Sequence, residues 1–345
     1  MRETSSVILH SIIVHVLDKT AEEPLLTDFQ QEITEEIHEL IEKHIVRSLK
    51  DDDNRIAKFI TGPNIVRDSC DQILYHESSF VESSKIIAQH LFRAMKVNAN
   101  TSSCDLVICS YSVDSQKYVG ILKMDYRKSY VHDIEYVDDR FKVSIISHET
   151  GLPGMAQRLQ KCAFIKRYEA NDEYDLVLLD KQQAKGSEQD VAHFFAQDFL
   201  NCNILVDSKD KTKMFRSMTE KFVRNELRQD VAHAATARDV LATHLNKEEE
   251  INVRQFAEAM SDDNEEMKNN YIEHLNNEGF QVTGFEVNKE WVEKKLKRKA
   301  IKTDTGFDIR NERDIFNDPH KFSVQRNGDG TINIVLKNIR NFVEK

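Results

Sequence analysis

Apolar residues along the first part of the chain recur with two different periods, which separate predicted strands from predicted helices. Residues 7–17 are rich in β-branched side chains and predict a strand. In residues 28–49 the apolar positions are three or four apart, which predicts an amphipathic helix capped by Thr27 or Asp28. A second helix is predicted over residues 79–95, and its inward stripe is Phe80, Ile86, Ile87, Leu91 and Met95.

Strand signals then follow in pairs separated by polar turns. Three hairpins are predicted: 105–112 with 118–125, 135–137 with 141–146 around Asp138-Asp139, and 162–167 with 174–180. Hairpins make antiparallel neighbours. The predicted fold class is therefore α+β, a mostly antiparallel sheet with flanking helices, followed by a helical middle segment and a small β-rich C-terminal unit.

The second half of the chain turns helical and then returns to hairpins. Residues 182–190 (QQAKGSEQD) are polar and form the predicted linker. Helices are predicted over residues 191–200, 211–245 (as one helix or two), 253–260 and 263–278. Two hairpins follow, turning at Asp304-Thr305-Gly306 and at Asn327-Gly328-Asp329-Gly330.

Domain boundaries follow from these changes of pattern. We predict an N-terminal α+β domain over residues 1–183, a helical segment over residues 188–288 and a small basic β-rich unit over residues 289–345. A single domain over residues 188–345 is the alternative. A length of 345 residues fits two domains of ordinary size, since a domain averages about 150 residues.

Charge is distributed unevenly along the chain. The 48 basic and 59 acidic residues give a net charge of −11, unlike a histone-like protein that coats DNA with its whole surface. Residues 289–345 instead carry 14 basic and 9 acidic residues, which leaves −16 for the remainder. Such a segment favours phosphate binding, because neutralising phosphates releases condensed counterions. The predicted DNA-binding residues are Lys294, Lys295, Lys297, Arg298, Lys299 and Lys302.

Other interpretations of the basic residues stay open. The cluster could be a solvated helix end or an edge strand protected by lysine. Trp291 could stack on a base, although a core anchor is the preferred interpretation. A second candidate for phosphate contact is a stripe on the long predicted helix, formed by Lys213, Arg216, Lys221, Arg224 and Arg228.

The familiar catalytic and metal-binding patterns are missing from the sequence. The five cysteines form no CxxC pair, and His38 and His44 are spaced differently from the histidines of zinc proteases. Asp105 and Lys123 suggest a metal-dependent nuclease, but the expected carboxylate position holds Ile121. We therefore expect no catalytic residues, no metal and no cofactor. No apolar run reaches the roughly 20 residues that span a bilayer, so no membrane partner is expected.

Several segments, in order along most of the chain, resemble the bacterial nucleoid-associated protein family of the NdpA type. They are residues 118–130 (YVGILKMDYRKSY), 152–165 (LPGMAQRLQKCAFI), 173–182 (EYDLVLLDKQ), 194–200 (FFAQDFL), 291–309 (WVEKKLKRKAIKTDTGFDI) and 327–339 (NGDGTINIVLKNI). The resemblance implies a cytoplasmic protein of the nucleoid that associates with double-stranded DNA and has no known catalytic activity.

The resulting hypothesis is a non-catalytic protein that binds double-stranded DNA mainly through phosphates, with weak sequence specificity. Other nucleoid proteins and a second copy of the chain are further candidate partners. The alternative is a protein-interaction adaptor that another DNA-bound protein recruits to the nucleoid. The acidic charge outside residues 289–345 favours this alternative.

Overall fold

The computed structural model describes residues 6–343, except 99, 153, 155–156, 170, 182–193, 229, 263 and 342. The chain divides into two compact units, residues 1–205 and residues 206–345. The predicted linker over residues 182–190 lies outside the described residues, and the predicted domain boundaries stay a prediction. None of the helices in the described ranges is long and apolar enough to cross a membrane.

The first unit is built on a seven-stranded sheet in which every pair of neighbours is antiparallel. The strands of this unit are β1 (Ile8–Leu17), β2 (Asn54–Phe59), β3 (Cys104–Val113), β4 (Gln116–Asp125), β5 (Arg127–Val137), β6 (Arg140–Thr150), β7 (Lys161–Lys166), β8 (Leu176–Asp180) and β9 (Cys202–Ile204). Their order in the sheet is β1-β3-β4-β7-β8-β2-β9, while within the described ranges β5 and β6 pair only with each other.

Both faces of this sheet are covered. The helices are α1 (Glu35–Leu49), α2 (Ile65–Tyr75) and α3 (Phe80–Val97), with a 3-10 turn at Glu77–Ser79 and a π-helical turn at Phe194–Phe199. Alternate residues of β3 belong to different cores, because strand side chains alternate between faces. Leu106 packs in the core that includes α2 and α3, whereas Val107 packs in the core beneath α1.

The first predicted helix begins later than the periodicity indicates. Residues 28–34 are not helical, and α1 starts after Thr34, whose side chain accepts a hydrogen bond from the Ile37 amide. The Gln31 amide instead donates to the Ile12 carbonyl of β1, so this stretch is tied to the sheet. Phe29, a residue of the predicted stripe, is 81% exposed. The caps at Thr27 and Asp28 are therefore wrong.

The other predictions for the first unit hold with two exceptions. The strand at residues 7–17, the helix at 79–95 and the three hairpins are confirmed, but Ile86 of the predicted stripe is exposed rather than buried. Sequence periodicity did not find β2 or α2. The second hairpin is much longer than predicted, since β5 and β6 pair over eleven residues each.

The second unit consists of helices around an aromatic core, with short hairpins. Its helices are α4 (Ser208–Glu226), α5 (Val231–Lys247), α6 (Val253–Ser261), α7 (Glu265–Asn277), α8 (Lys289–Leu296) and α9 (Arg313–Asn317). Its strands are β10 (Glu250–Asn252), β11 (Gly284–Glu286), β12 (Arg298–Lys302), β13 (Asp308–Glu312), β14 (Phe322–Arg326) and β15 (Ile332–Leu336). Phe215 lies at the core centre, 4.9 Å from Phe256 and 5.2 Å from Phe285 between ring centroids.

The structure gives the bounds of the helices predicted for this unit. Residues 211–245 form parts of two helices, because Asp230 caps the second through the His233 amide. The helix at residues 253–260 and both C-terminal hairpins are confirmed. The helix predicted over 263–278 is observed at Glu265–Asn277, and residue 263 lies outside the described residues. Of the predicted helix at 191–200, residues 191–193 lie outside the described residues and Phe194–Phe199 form the π-helical turn. The α+β fold class is confirmed.

Candidate nucleic-acid interface

The centre of the predicted basic segment is the hairpin of β12 and β13. Its two strands pair antiparallel. Arg298 is opposite Glu312 at the open end, and Lys302 is opposite Asp308 next to the turn. Gly306 closes the turn with a φ of 93°, a conformation that glycine adopts without strain. Directly paired residues point to the same face of a ribbon, so alternate residues of the cluster point in opposite directions.

The outward face of this hairpin holds three cations. Arg298 and Lys302 on β12 and Arg310 on β13 are exposed, with Ala300 between them. Two carboxylates share this face. The Lys302 Nζ lies 3.8 Å from Asp308, and the Arg310 guanidinium donates two hydrogen bonds to the same carboxylate, at 2.9 and 2.7 Å. These bonds hold the pKa of Asp308 below its ordinary value, so this carboxylate offsets part of the positive charge.

Lys297 joins α8 to the hairpin and belongs to the same surface. Its side chain is 64% exposed, and its Nζ lies 3.7 Å from Glu312. Lys297, Arg298, Lys302 and Arg310, with Asp308 and Glu312, leave this surface with an excess of two positive charges. We call these six residues the hairpin surface.

Lys299 is not part of the hairpin surface. Its side chain is turned to the opposite face, with its Nζ 3.5 Å from Asp239 on α5 and 6.0 Å from the Phe316 ring centroid. The same carboxylate lies 3.8 Å from Arg313. The structure therefore separates Lys299 from its sequence neighbours Arg298 and Lys297.

Lys294 and Lys295 lie on the last turn of α8 and are exposed. The opposite side of this helix buries Trp291, Val292 and Leu296 in the core of the second unit. Cations at a helix C-terminus interact favourably with the partial negative charge there, which gives both lysines a structural role as well. Trp291 is 7% exposed, so its interpretation as a core anchor is confirmed and base stacking is excluded.

The second candidate stripe is interrupted on α4. Arg216 is largely buried over the Trp291 ring, 5.7 Å from its centroid, and burial lowers the pKa of its guanidinium. Lys221 donates to Glu278 at 2.5 Å. Glu220 lies within the stripe and accepts from Arg238 at 3.0 Å. Only Arg224 and Arg228 of the stripe are both exposed and without a carboxylate partner among the described residues.

A cleft of about 730 Å³ lies beside the hairpin surface, between α5, α8 and α9. Its ionic lining is balanced, with four cations and four carboxylates: Lys247, Lys289, Lys297 and Arg313 against Asp239, Glu293, Glu312 and Asp314. A cleft without excess positive charge is a poor phosphate site, so the exposed hairpin is the better candidate.

The nuclease geometry is contradicted by the strand register. Lys123 is paired with Leu106 and Asp105 with Met124, so the two side chains lie on opposite faces of the sheet. Lys123 is buried, forms an ion pair with Asp125 and donates to the Ser102 carbonyl at 3.1 Å. Within the described ranges, no group of three or more His, Cys, Asp or Glu side chains could hold a metal ion.

Sequence reasoning missed Arg310. Arg310 lies eight positions beyond Lys302, the last residue of the predicted basic cluster. The predicted hairpin contained the signal. A turn centred on Thr305-Gly306 places β13 alongside β12, so that Arg310 is paired with Ala300.

Comparison with known proteins agrees with the resemblance seen in the sequence. The sequence model of one family, described as nucleoid-associated protein YejK, matches residues 13–343. A search of curated proteins found no match. The family match covers both compact units and includes every residue of the hairpin surface. The chain therefore belongs to the family of the nucleoid-associated protein YejK.

Proposed function

We propose that this chain binds double-stranded DNA in the nucleoid, mainly through phosphate contacts and without catalysing a reaction. The observation that carries the proposal is the hairpin surface, where Lys297, Arg298, Lys302 and Arg310 are exposed together. Membership of a nucleoid-associated family supports it. Lys294 and Lys295, on the adjoining turn of α8, extend the same contact area.

The dimensions of the hairpin suit a duplex. Arg298 and Lys302 are four residues apart on one strand, which corresponds to roughly 13 Å. That distance spans about four base-pair steps along DNA. A two-stranded ribbon is also narrow enough to lie in or across the major groove. Contacts of this type are made to the backbone, so we expect little sequence preference.

The carboxylates of the hairpin surface set the expected strength of binding. Exposed ion pairs such as Lys297 with Glu312 contribute only about 0–1 kcal/mol, so a phosphate can replace the carboxylate as partner. The carboxylates nevertheless remain nearby and repel the backbone. We therefore expect weak binding that depends steeply on salt.

The test is the affinity of the full chain for a labelled random duplex over a salt series. The variant Lys297→Gln/Arg298→Gln/Lys302→Gln should reduce the magnitude of the negative slope of log affinity against log salt by about three, close to one for each lost phosphate contact. Glutamine avoids the like-charge repulsion that glutamate would create opposite Glu312 and Asp308.

A matched control removes the same charge elsewhere. Lys117 and Lys142 are exposed and Lys43 is partly exposed, and all three are paired with carboxylates, as Lys297 and Lys302 are. Their triple change to glutamine should leave the salt slope within about 0.5 of wild type. An equal loss in both variants would mean that net charge alone governs binding and that the hairpin surface is not the site.

Three further outcomes would change the proposal. Binding unaffected by the hairpin variant would move the contacts elsewhere, first to Arg224 and Arg228 on α4. No binding by wild type at 50 mM salt would favour the adaptor function, which the acidic charge outside residues 289–345 also favours. Duplex that is degraded only when Mg²⁺ is present would contradict the non-catalytic part.

A further inference from the structure

A long two-stranded ribbon formed by β5 and β6 leaves the sheet of the first unit. It is inserted between β4 and β7, which pair directly with each other. Its strands pair over eleven residues and are joined by Asp138 and Asp139, both with positive φ. At about 3.3 Å per residue the ribbon extends roughly 35 Å. The sheet does not need the ribbon to complete its hydrogen bonding.

The register of the ribbon separates apolar from polar side chains. Cross-strand partners share a face, and one face has the successive pairs Tyr136 with Phe141, Ile134 with Val143 and His132 with Ile145. The aromatic rings of the first pair contact each other in a T-shaped arrangement, 5.1 Å apart. Tyr130 continues this face toward the sheet. We call it the apolar ribbon face.

The opposite face is suited to water. It includes Asp133, Ser144 and an ion pair between Lys142 and Glu135 at 2.6 Å, next to a few aliphatic residues. An antiparallel ribbon with one polar and one apolar face normally has its apolar face covered. Here the apolar face is open: its six large side chains are 56–80% exposed (Tyr130, Ile134, Tyr136, Phe141, Val143 and Ile145).

The size of the apolar ribbon face matches that of a protein interface. An aromatic side chain buries about 150–250 Å², so the three exposed aromatic residues alone offer roughly 300–500 Å². Ile134, Val143 and Ile145 bring the face close to the roughly 800 Å² per partner of a stable dimer. The largest apolar patch on an ordinary monomer is smaller, about 300–600 Å².

The charge of this face points to a second copy of the chain as the occupant. Two copies with a net charge of −11 repel each other over most of their surface. Among the described side chains of the apolar ribbon face, Lys128 opposite Glu149 at its base is the one pair of acidic and basic residues, so this face adds no net charge. It is a place where two identical acidic molecules can meet without like-charge repulsion.

We propose that the chain forms a homodimer in which the apolar ribbon faces of two copies pack against each other. A two-fold axis makes such a contact self-complementary, because each copy contributes the same rows of side chains. Face-to-face ribbons pack about 10 Å apart with interdigitating side chains. The proposal does not depend on DNA binding.

Two neighbouring residues on opposite faces provide a matched test. Ile145 lies on the apolar ribbon face and Ile146 on the other, and both are exposed, so neither is needed for folding. Lysine at either position lowers the net negative charge equally. Sedimentation equilibrium of the full chain at micromolar concentration should give twice 40.1 kDa for wild type and for Ile146→Lys. Ile145→Lys should give the monomer mass, with at least a hundredfold weaker association.

Crosslinking gives a second readout. The five native cysteines are buried, so an introduced surface thiol reacts selectively. Val143→Cys on the apolar ribbon face should crosslink two chains with a short bismaleimide, while Ser144→Cys on the polar face should not. A wild-type monomer at 100 µM would overturn the proposal and assign the face to another protein. A dimer that survives Ile145→Lys, or equal crosslinking at both positions, would overturn it as well.

Discussion

His15 is a buried histidine on β1 whose hydrogen bonds define its protonation state. The Thr27 amide donates to Nδ1 at 3.2 Å, so this nitrogen is an acceptor and the proton is on Nε2. Nε2 then donates to the Ser84 hydroxyl at 3.0 Å, and that hydroxyl donates to the Val81 carbonyl. Adding a proton at Nδ1 would replace this acceptor with an N–H donor that faces the N–H of Thr27. The structure therefore requires neutral His15.

This histidine predicts a loss of stability in mild acid. Burial, with a smaller effect from Lys85, lowers the pKa of His15 to about 4 from its ordinary value of 6.5. Above pH 6.5 His15 is neutral in both the folded and the unfolded state, so its titration does not lower the free energy of unfolding. Between pH 6.5 and 4 His15 takes up a proton in the unfolded state only. This lowers the free energy of unfolding by about 2 kcal/mol at pH 5.

Urea denaturation at pH 7.5 and pH 5 measures this effect. His15→Gln keeps an acceptor and a donor but does not titrate, so its stability should fall by about 2 kcal/mol less than that of wild type over this interval. His76→Gln, at an exposed position directly after α2, serves as the control and should behave like wild type. Equal losses in all three proteins would mean that other groups govern the acid sensitivity.

The start of α1 provides a prediction at the scale of one element. Thr34 caps this helix through the Ile37 amide at 3.3 Å, whereas Asp28 is exposed and paired with Lys85. Thr34→Ala should lower the free energy of unfolding by about 1 kcal/mol. Asp28→Ala, measured in 0.5 M salt to screen its ion pair, should cost less than about 0.5 kcal/mol. A larger effect at Asp28 would contradict the helix boundary.

The same helix shows how far periodicity predicts an element. From Glu35 onward the apolar stripe and the helix agree, because buried residues on α1 must share one side. Residues 28–34 continue the period but are not helical, because the Gln31 amide pairs with the Ile12 carbonyl of β1, nineteen positions away in the sequence. Hairpins were better predicted, because a turn such as Asp138-Asp139 specifies its structure locally.

The candidate DNA site was predictable as a segment but not as a surface. A run of lysines reveals the excess of charge, but consecutive strand residues point to opposite faces, so Arg298 and Lys299 separate. The carboxylates that moderate the charge come from elsewhere along the chain: Asp239 on α5 and Glu312 on β13. Such pairings depend on the tertiary fold, and sequence spacing does not reveal them.

At the scale of the whole molecule, each unit has its own apolar core. Among the described residues, the buried side chains of the first unit's cores all precede Leu205, and those of the second unit's core lie between Phe215 and Leu296. The single tryptophan of the chain, Trp291, belongs to the second unit and is buried there. Its emission therefore reports on the second unit alone, while circular dichroism reports on both.

Residues 206–345 should fold when produced without the first unit, because a unit with its own core is stable without its neighbour. The expected result is blue-shifted Trp291 emission in buffer and a cooperative shift to longer wavelength in urea, together with a helical circular dichroism spectrum. Emission already at the wavelength of exposed tryptophan, or a gradual transition, would show that this unit depends on residues 1–205.

The attachment of the β5–β6 ribbon also affects how the protein can change in evolution. Since β4 bonds directly to β7, the chain leaves and re-enters the sheet at adjacent strands, and the ribbon can vary in sequence or length while the sheet stays intact. If the ribbon is the dimer contact, self-recognition is encoded in a segment that carries little of the folding energy. Two related chains in one cell would then be kept from mixed assembly by differences in their ribbons alone.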